Sequence, residues 1–300
     1  MSRSGDPLDE PVSTGARRLA LIHLDAAKGA CKRLADDKDE EALHDFRVSL
    51  RRMRAVLRFY RPHLREAVPK KLVKKIRKTA SLTGPGRDAE VQARWLGLRE
   101  GRFAGRHRKG VRRLRFRIEA FRDESYARSV YRSRMDFRGW EPELRKGLSR
   151  TPRGRGKAEP SLARAAIGLA GTAAARLGRL LGSIRSARDV RGAHQARIAG
   201  KRLRYLVEPL RFRSPAWKRC GASLKKLQDI LGELHDMHVL ADEVARVAGE
   251  ERGRGADRLP GLVRLAAHVR GRQDVLFCRL RKDWGAAARA RFFGKIGAGC

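Results

Sequence analysis

His44-Asp45-Phe46-Arg47-Val48-Ser49-Leu50-Arg51-Arg52-Met53-Arg54 has a second copy later in the chain, His194-Gln195-Ala196-Arg197-Ile198-Ala199-Gly200-Lys201-Arg202-Leu203-Arg204. In both copies a histidine is followed at +3, +7, +8 and +10 by a basic residue and at +4 by a β-branched one. A helix advances about 100° per residue. His44, Arg47, Arg51, Arg54 and Arg58 therefore share one cationic stripe. Leu43, Phe46, Leu50, Met53, Leu57 and Tyr60 form an apolar stripe beside it, wide enough to dock on neighbouring helices. The cations border the buried face, at a groove edge rather than on the far solvent side, and Arg52 lies outside both stripes. No Asp or Glu stands between Asp45 and Glu66 to relieve the repulsion, which amounts to a few tenths of a kcal/mol per like-charged i,i+3 or i,i+4 pair. A bridging anion would reverse the sign of that contribution.

The repetition extends downstream. Arg77-Lys78 precedes Gly84 and then Arg87-Asp88-Ala89-Glu90-Val91; Lys225-Lys226 precedes Gly232 and then His235-Asp236-Met237-His238-Val239. Two segments in one order at nearly one offset point to an internal duplication. In each half the second segment reads as a helix, a turn at Gly84 or Gly232, and another helix. Asp88 and Asp236 fit helix capping or the orienting of an Arg better than metal binding. The second cationic stripe, His194, Arg197, Lys201 and Arg204, is shorter, because Glu208 stands where Arg58 stood and Pro209 should kink or end the helix. Ala193, Ala196 and Gly200 thin its apolar stripe and permit close helix approach. A lone basic run is ordinarily a solvated face; the matched repetition is what makes these two runs candidate sites. Heading them, His44 and His194 are candidate phosphate donors.

Helical periodicity dominates from Ala16 onward, and no run of alternating β-branched residues argues for a sheet. The chain is expected to be all-α, with a loose tail over 1–14, a first helical half over 15–148, a linker over 149–160 (Ser-Arg-Thr-Pro-Arg-Gly-Arg-Gly-Lys-Ala-Glu-Pro) and a second half over 161–300. A further amphipathic basic block runs from Arg102 to Arg117, with Val111, Leu114, Ile118 and Phe121 at helical spacing; it reads as a solvated helix.

The 300 residues hold 71 Lys and Arg against 33 Asp and Glu, a formal charge of +38. Such a charge steers toward polyanions and opposes compaction until it is neutralised. Hydrophobic residues at 41% are enough for a core, and aromatics at 6% weigh against a reader of stacked single-strand bases. Cys31, Cys220, Cys278 and Cys300 are scattered without metal-ligand spacing, so free thiols in a reducing cytosol are expected. The N-terminus lacks a signal peptide's apolar core, and no apolar run is long enough to span a bilayer. A cytoplasmic protein is expected.

The HxxRVxxRRxR and HxxRIxxKRxRY segments, with Leu224–Leu240 (Leu-Lys-Lys-Leu-Gln-Asp-Ile-Leu-Gly-Glu-Leu-His-Asp-Met-His-Val-Leu), resemble the conserved histidine α-helical domain, or CHAD, family. The resemblance runs from about Ala16 into the C-terminal region. It implies two four-helix bundles related by pseudo-twofold symmetry, a basic central groove or pore, binding of inorganic polyphosphate, and association with cytoplasmic polyphosphate granules. Carried over by motif position, the implied ligands are His44, Arg47, Arg51, Arg52 and Arg54 in the first half. Those in the second are His194, Arg197, Lys201, Arg202 and Arg204, and Lys78 and Lys226 match the basic position of the following helix. Some members are fused to a triphosphate tunnel enzyme domain, whose acidic signature is absent here.

Arg suits a polyphosphate receptor, because its planar fork bonds two phosphate oxygens and stays charged. The alternatives are a non-specific nucleic-acid binder, although no recognition helix, zinc finger or RNA-binding signature is present, or an accessory subunit of a polyphosphate-metabolising enzyme. A catalytic role is not expected. No phosphate loop GxxxxGK[ST] exists, acidic residues do not cluster beside the stripes, and phosphoryl chemistry usually requires one or the other. Neither a catalytic residue, a metal site nor a cofactor is expected.

Overall fold

The computed structural model describes residues 5–36, 39–151, 159–252 and 261–299. Helices follow one another as α1 (Val12–Arg33), α2 (Glu40–Phe59), α3 (Arg61–Leu64), α4 (Lys70–Leu82), α5 (Gly84–Gly97), α6 (Gly105–Ser149), α7 (Leu162–Ser183), α8 (Val190–Leu210), α9 (Pro215–Arg252), α10 (Leu262–Asp283) and α11 (Ala286–Gly297). A 3₁₀ turn, Glu100–Arg102, lies between α5 and α6. Among the described residues there is no β-strand, only an isolated antiparallel bridge between Pro11 and Ser161, so the fold is all-α. Val12 and Leu162 each open a helix of 22 residues. Glu40 and Val190 open the next pair, so the 150-residue offset of the motifs recurs in the element starts.

One expectation fails in the second half. The turn forms near Gly84, where α4 ends at Leu82 and α5 begins, but α9 runs unbroken through Gly232. The reason is one residue on. A proline has no backbone N–H for the i→i−4 ladder; Pro85 therefore forces a restart, whereas its counterpart Glu233 keeps the donor. Pro209 lies inside α8, which ends at the next residue, Leu210.

The chain folds as two compact units whose boundaries fall within α6, α7 and α8. The first takes residues 1–84, 126–170 and 205–213. Here Phe46 of α2 meets Phe137 of α6 edge-on at 5.4 Å, and Phe137 meets Trp140 at 4.8 Å. The Trp140 indole N–H donates to Thr79 Oγ1 at 2.9 Å, a buried bond that satisfies both groups. Leu50, Met53 and Leu57 are buried as their spacing predicts, each worth about 1.5–3 kcal/mol of burial. Leu43 is only half-buried, and Ala42 takes the inner position a residue earlier. Within the expected tail over 1–14, the described residues just before α1 are held down. Leu8 is buried, and the N–H groups of Leu162 and Ala163 donate to the carbonyls of Glu10 and Leu8 at 2.8 and 2.9 Å. Most of the 149–160 segment, residues 152–158, lies outside the described residues.

The second unit takes residues 85–125, 171–204 and 214–300. Its core joins Leu96, Leu114, Leu234, Leu240, Leu265 and Val269, contributed by α5, α6, α9 and α10. Of the basic block after Arg102, Val111, Leu114 and Ile118 are buried, while Phe121 is exposed. Part of that block is tied down by ion pairs. Glu100, a buried carboxylate, holds Arg112 at 2.7 Å, Arg115 at 3.3 Å and Arg108 at 3.5 Å. Burial pushes its carboxyl up, and Arg112 above all holds it below the ordinary value. Cys31 and Cys278 are free, but Cys220 is disulfide-bonded, against the expectation of four free thiols. Scatter along the sequence does not limit approach in space, where Cα separation and Cβ direction decide bridging.

Candidate functional site

The helix α2 carries the first cationic stripe, and its register follows from its cap. Asp39 accepts from the Ala42 N–H at 3.0 Å, which fixes where the helix begins. With Phe46, Leu50 and Met53 turned into the core, Arg47, Arg51 and Arg54 are left half-buried beside it, and His44 and Arg58 are exposed. Arg47 donates to the Thr83 carbonyl, tying α2 to the end of α4. Arg51 lies over the Tyr205 ring at 5.8 Å, within cation–π range.

Arg54 is the most crowded of these cations. Burial first, then Arg77 and Arg58, lower its guanidinium below the ordinary value. The charges pressing on Arg54 are thus both positive. Arg77 comes from α4, where it stands exposed beside Lys78, which is exposed as well. Arg52 has a different fate. It pairs with Glu208, Nε lying 3.3 Å from Oε2, so its charge is already matched. Glu208, which in sequence replaces a cation of the stripe, pairs with Arg52, a cation outside it. The histidine beside this pair, His23 of α1, was not singled out by any motif. Burial and then Arg52 push its imidazole down to about 4, with Glu208 pulling the other way.

In the second unit α8 presents His194 exposed and Arg197, Lys201, Arg202 and Arg204 half-buried, above buried Ala193, Ala196 and Leu203. The missing Cβ of Gly200 is the space occupied by the Gln228 side chain of α9, and Gln228 Nε2 donates to the Arg197 carbonyl at 3.4 Å. Small residues on α8 thus let α9 approach, as their pattern implies. Lys226 is exposed two residues before Gln228 on α9.

Two turns further along, α9 brings in His235, whose ring stands 5.4 Å from that of His194. Burial, then Arg197, His194 and Lys201, push His235 down to about 4. Its neighbour Asp236 is raised, by burial first and by Asp88, against the pull of Arg197, Arg87 and Lys201. Asp88 and Asp236, matched by position in the two halves, therefore act on each other in the fold. The face that sequence spacing assembled from α8 alone is in three dimensions a cluster of His194, Arg197, Lys201 and His235 with Arg87 at its edge. His235 and Arg87 head the two aligned dipeptides Arg87-Asp88 and His235-Asp236; the signal was in that alignment, in the basic partner of each aspartate.

Both faces can hold multiple anionic oxygens through guanidinium, ammonium and imidazole donors. Among the described residues no group of three or more His, Cys, Asp or Glu could hold a metal ion, and no helix is long and apolar enough to cross a membrane.

The CHAD domain family matches residues 18–245. Two solved structures share the fold. One is the CHAD domain from the plant Ricinus communis, at TM-score 0.65 and 18% identity, covering 98% of this chain and 95% of that one. The other is PptA from Streptomyces chartreusis, at TM-score 0.62 and 15% identity, covering 96% of this chain and 99% of that one. No curated protein matches the chain.

Proposed function

The chain belongs to the CHAD domain family, and from that membership we propose that it binds inorganic polyphosphate without transforming it. The binding faces are the cationic edge of α2, with His44, Arg47, Arg51, Arg54 and Arg58, and the cluster on α8 and α9 around His194, Arg197, Lys201, Arg204 and His235. Arg77 and Lys78 extend the first face and Lys226 the second. Arg202 adds to the second face, and Arg52 contributes less because Glu208 already holds it. The protein acts at cytoplasmic polyphosphate granules, as a receptor that localises or organises the polymer.

The observation that carries this reading is the environment of Arg54, a half-buried guanidinium pressed by Arg58 and Arg77. Gathering cations at a partly desolvated edge is unfavourable for folding, and a chain of phosphates at that edge turns the repulsion into attraction. Polyphosphate carries one charge per internal unit and no base to stack, which agrees with the arginine-rich, aromatic-poor composition.

The test is a titration of nucleic-acid-free protein with long-chain polyphosphate, single-stranded RNA and duplex DNA at matched phosphate concentration, from low to well above physiological salt. Polyphosphate remains bound at salt concentrations that release both nucleic acids. If all three weaken together with similar slopes, the protein is a general polyanion binder and the proposal fails.

A further inference from the structure

The second unit contains a cavity of about 600 Å³ that takes no part in the cationic faces, and we propose that it binds an amphipathic monoanion, an apolar chain ending in a single carboxylate. Its volume lies within the range of small-molecule sites, about 300–1,000 Å³.

The walls are the facing sides of α9 and α10, which run antiparallel. Gln273 meets the Met237 carbonyl at one end, while Ala248 and Leu262 share the cavity at the other. The space exists because α9 offers Ala241, Ala245 and Ala248 where larger side chains would close it, and α10 answers with Ala266. From His238 to Gly249 the groove follows about 16 Å of helix at 1.5 Å per residue.

Polarity is divided along that length. The Ala248–Leu262 end is apolar, and its rim residue Val263 is 79% exposed, an apolar side chain left facing water. Every charged or amide group lining the cavity gathers toward the other end. There, buried His238 donates from Nε2 to the Ala187 carbonyl at 2.7 Å, and buried Gln273 donates to Met237. These bonds lock both side chains as a rigid polar floor. Arg188, exposed Arg270 and Asp242 line the same cavity. Arg188 lies 3.8 Å from Asp274, which leaves further N–H groups of its five-donor fork for a ligand. A carboxylate placed between Arg188 and Arg270 receives charge-assisted bonds, while its chain covers the alanines and Val263. A longer polyanion is disfavoured, since Asp242 and Asp274 repel every charge beyond the first.

The test uses decanoate as the probe on the full chain, followed by calorimetry at physiological salt. Decanoate binds one-to-one and saturably, and decanol and acetate bind at least tenfold more weakly. Ala245→Phe, which fills the groove from an exposed position, and Arg270→Gln, which removes the head-group cation, each weaken decanoate at least tenfold. Both positions are exposed, and thermal melting confirms that the variants remain folded. Saturating polyphosphate leaves decanoate bound, which separates this site from the cationic faces. Unsaturable binding, or affinity unchanged in both variants, shows that decanoate coats the basic surface and overturns the proposal. So does the absence of binding in the micromolar range.

Discussion

Arg47, Arg51 and Arg54 differ from most of the other arginines in their surroundings more than in their charge. They are held half-buried at the core's edge, whereas Arg102, Arg106 and Arg113 stand exposed. A hydrogen bond to a charged group is worth about 1.5–3 kcal/mol where geometry is fixed, and an exposed, mobile pair far less. Replacing Arg47, Arg51 and Arg54 together by Gln therefore lowers polyphosphate affinity by about a hundredfold or more. The same change at Arg102, Arg106 and Arg113 lowers it by less than about threefold. Equal losses in filter-binding or calorimetric titrations would mean that net charge alone does the binding. His23 and His235 contribute most to an acid-sensitive stability, with His268 lowered by burial in the same direction. An unfolded imidazole titrates near about 6.5, while His23 and His235 are pushed down to about 4 in the fold. Between those values the unfolded chain binds protons that the folded chain refuses, so stability falls as pH drops from about 6.5 to about 4. Urea unfolding at pH 7, 5.5 and 4.5 shows this decline, and the His23→Gln, His235→Gln double variant flattens it.

At the scale of elements, the contrast between α4–α5 and α9 turns on Pro85 and Glu233. Gly232 was expected to mark a turn, a role in which its freedom to adopt positive φ would matter. In the structure it sits inside a continuous helix, and a Cβ added there meets nothing within 4 Å. Gly232→Ala should thus stabilise the protein by about 0.5–1 kcal/mol, read as a raised urea midpoint at unchanged slope. Destabilisation would mean that α9 breaks at this point. Gly147 of α6 is the opposite case. An added Cβ runs into the backbone carbonyl of Ala67, so this glycine is a contact surface rather than a weak point in the helix. The long α6 also shows how a basic block can be structural. Its arginines at 108, 112 and 115 converge on Glu100, one carboxylate that precedes the helix.

The whole molecule carries a charge of +38, whose self-repulsion works against the folded state. Salt screens that repulsion over a Debye length of about 10 Å at 0.1 M. Raising sodium chloride from about 0.05 to 0.5 M should therefore raise the melting temperature by a few degrees. Polyphosphate at low salt raises it further, as any ligand of the folded state must. A melting temperature that falls with salt would show that the ion pairs outweigh the net charge. Much of this protein was legible in its residues. Helical class, the apolar stripes of α2 and α8 and the two His-Arg rows all rest on local periodicity, which 100° per residue determines without reference to any neighbour. The Pro85–Glu233 difference that splits one helix and spares the other was also present in the letters, although a turn was read into both. Tertiary structure decided the rest. It matched Arg52 with Glu208, set Arg77 against Arg54, brought His235 to His194 and Asp88 to Asp236, and opened the alanine-lined cavity of the second unit. Each of these joins residues from different helices. A helix's period states which side of it a residue occupies, and only the packing of one helix against another states what that residue faces.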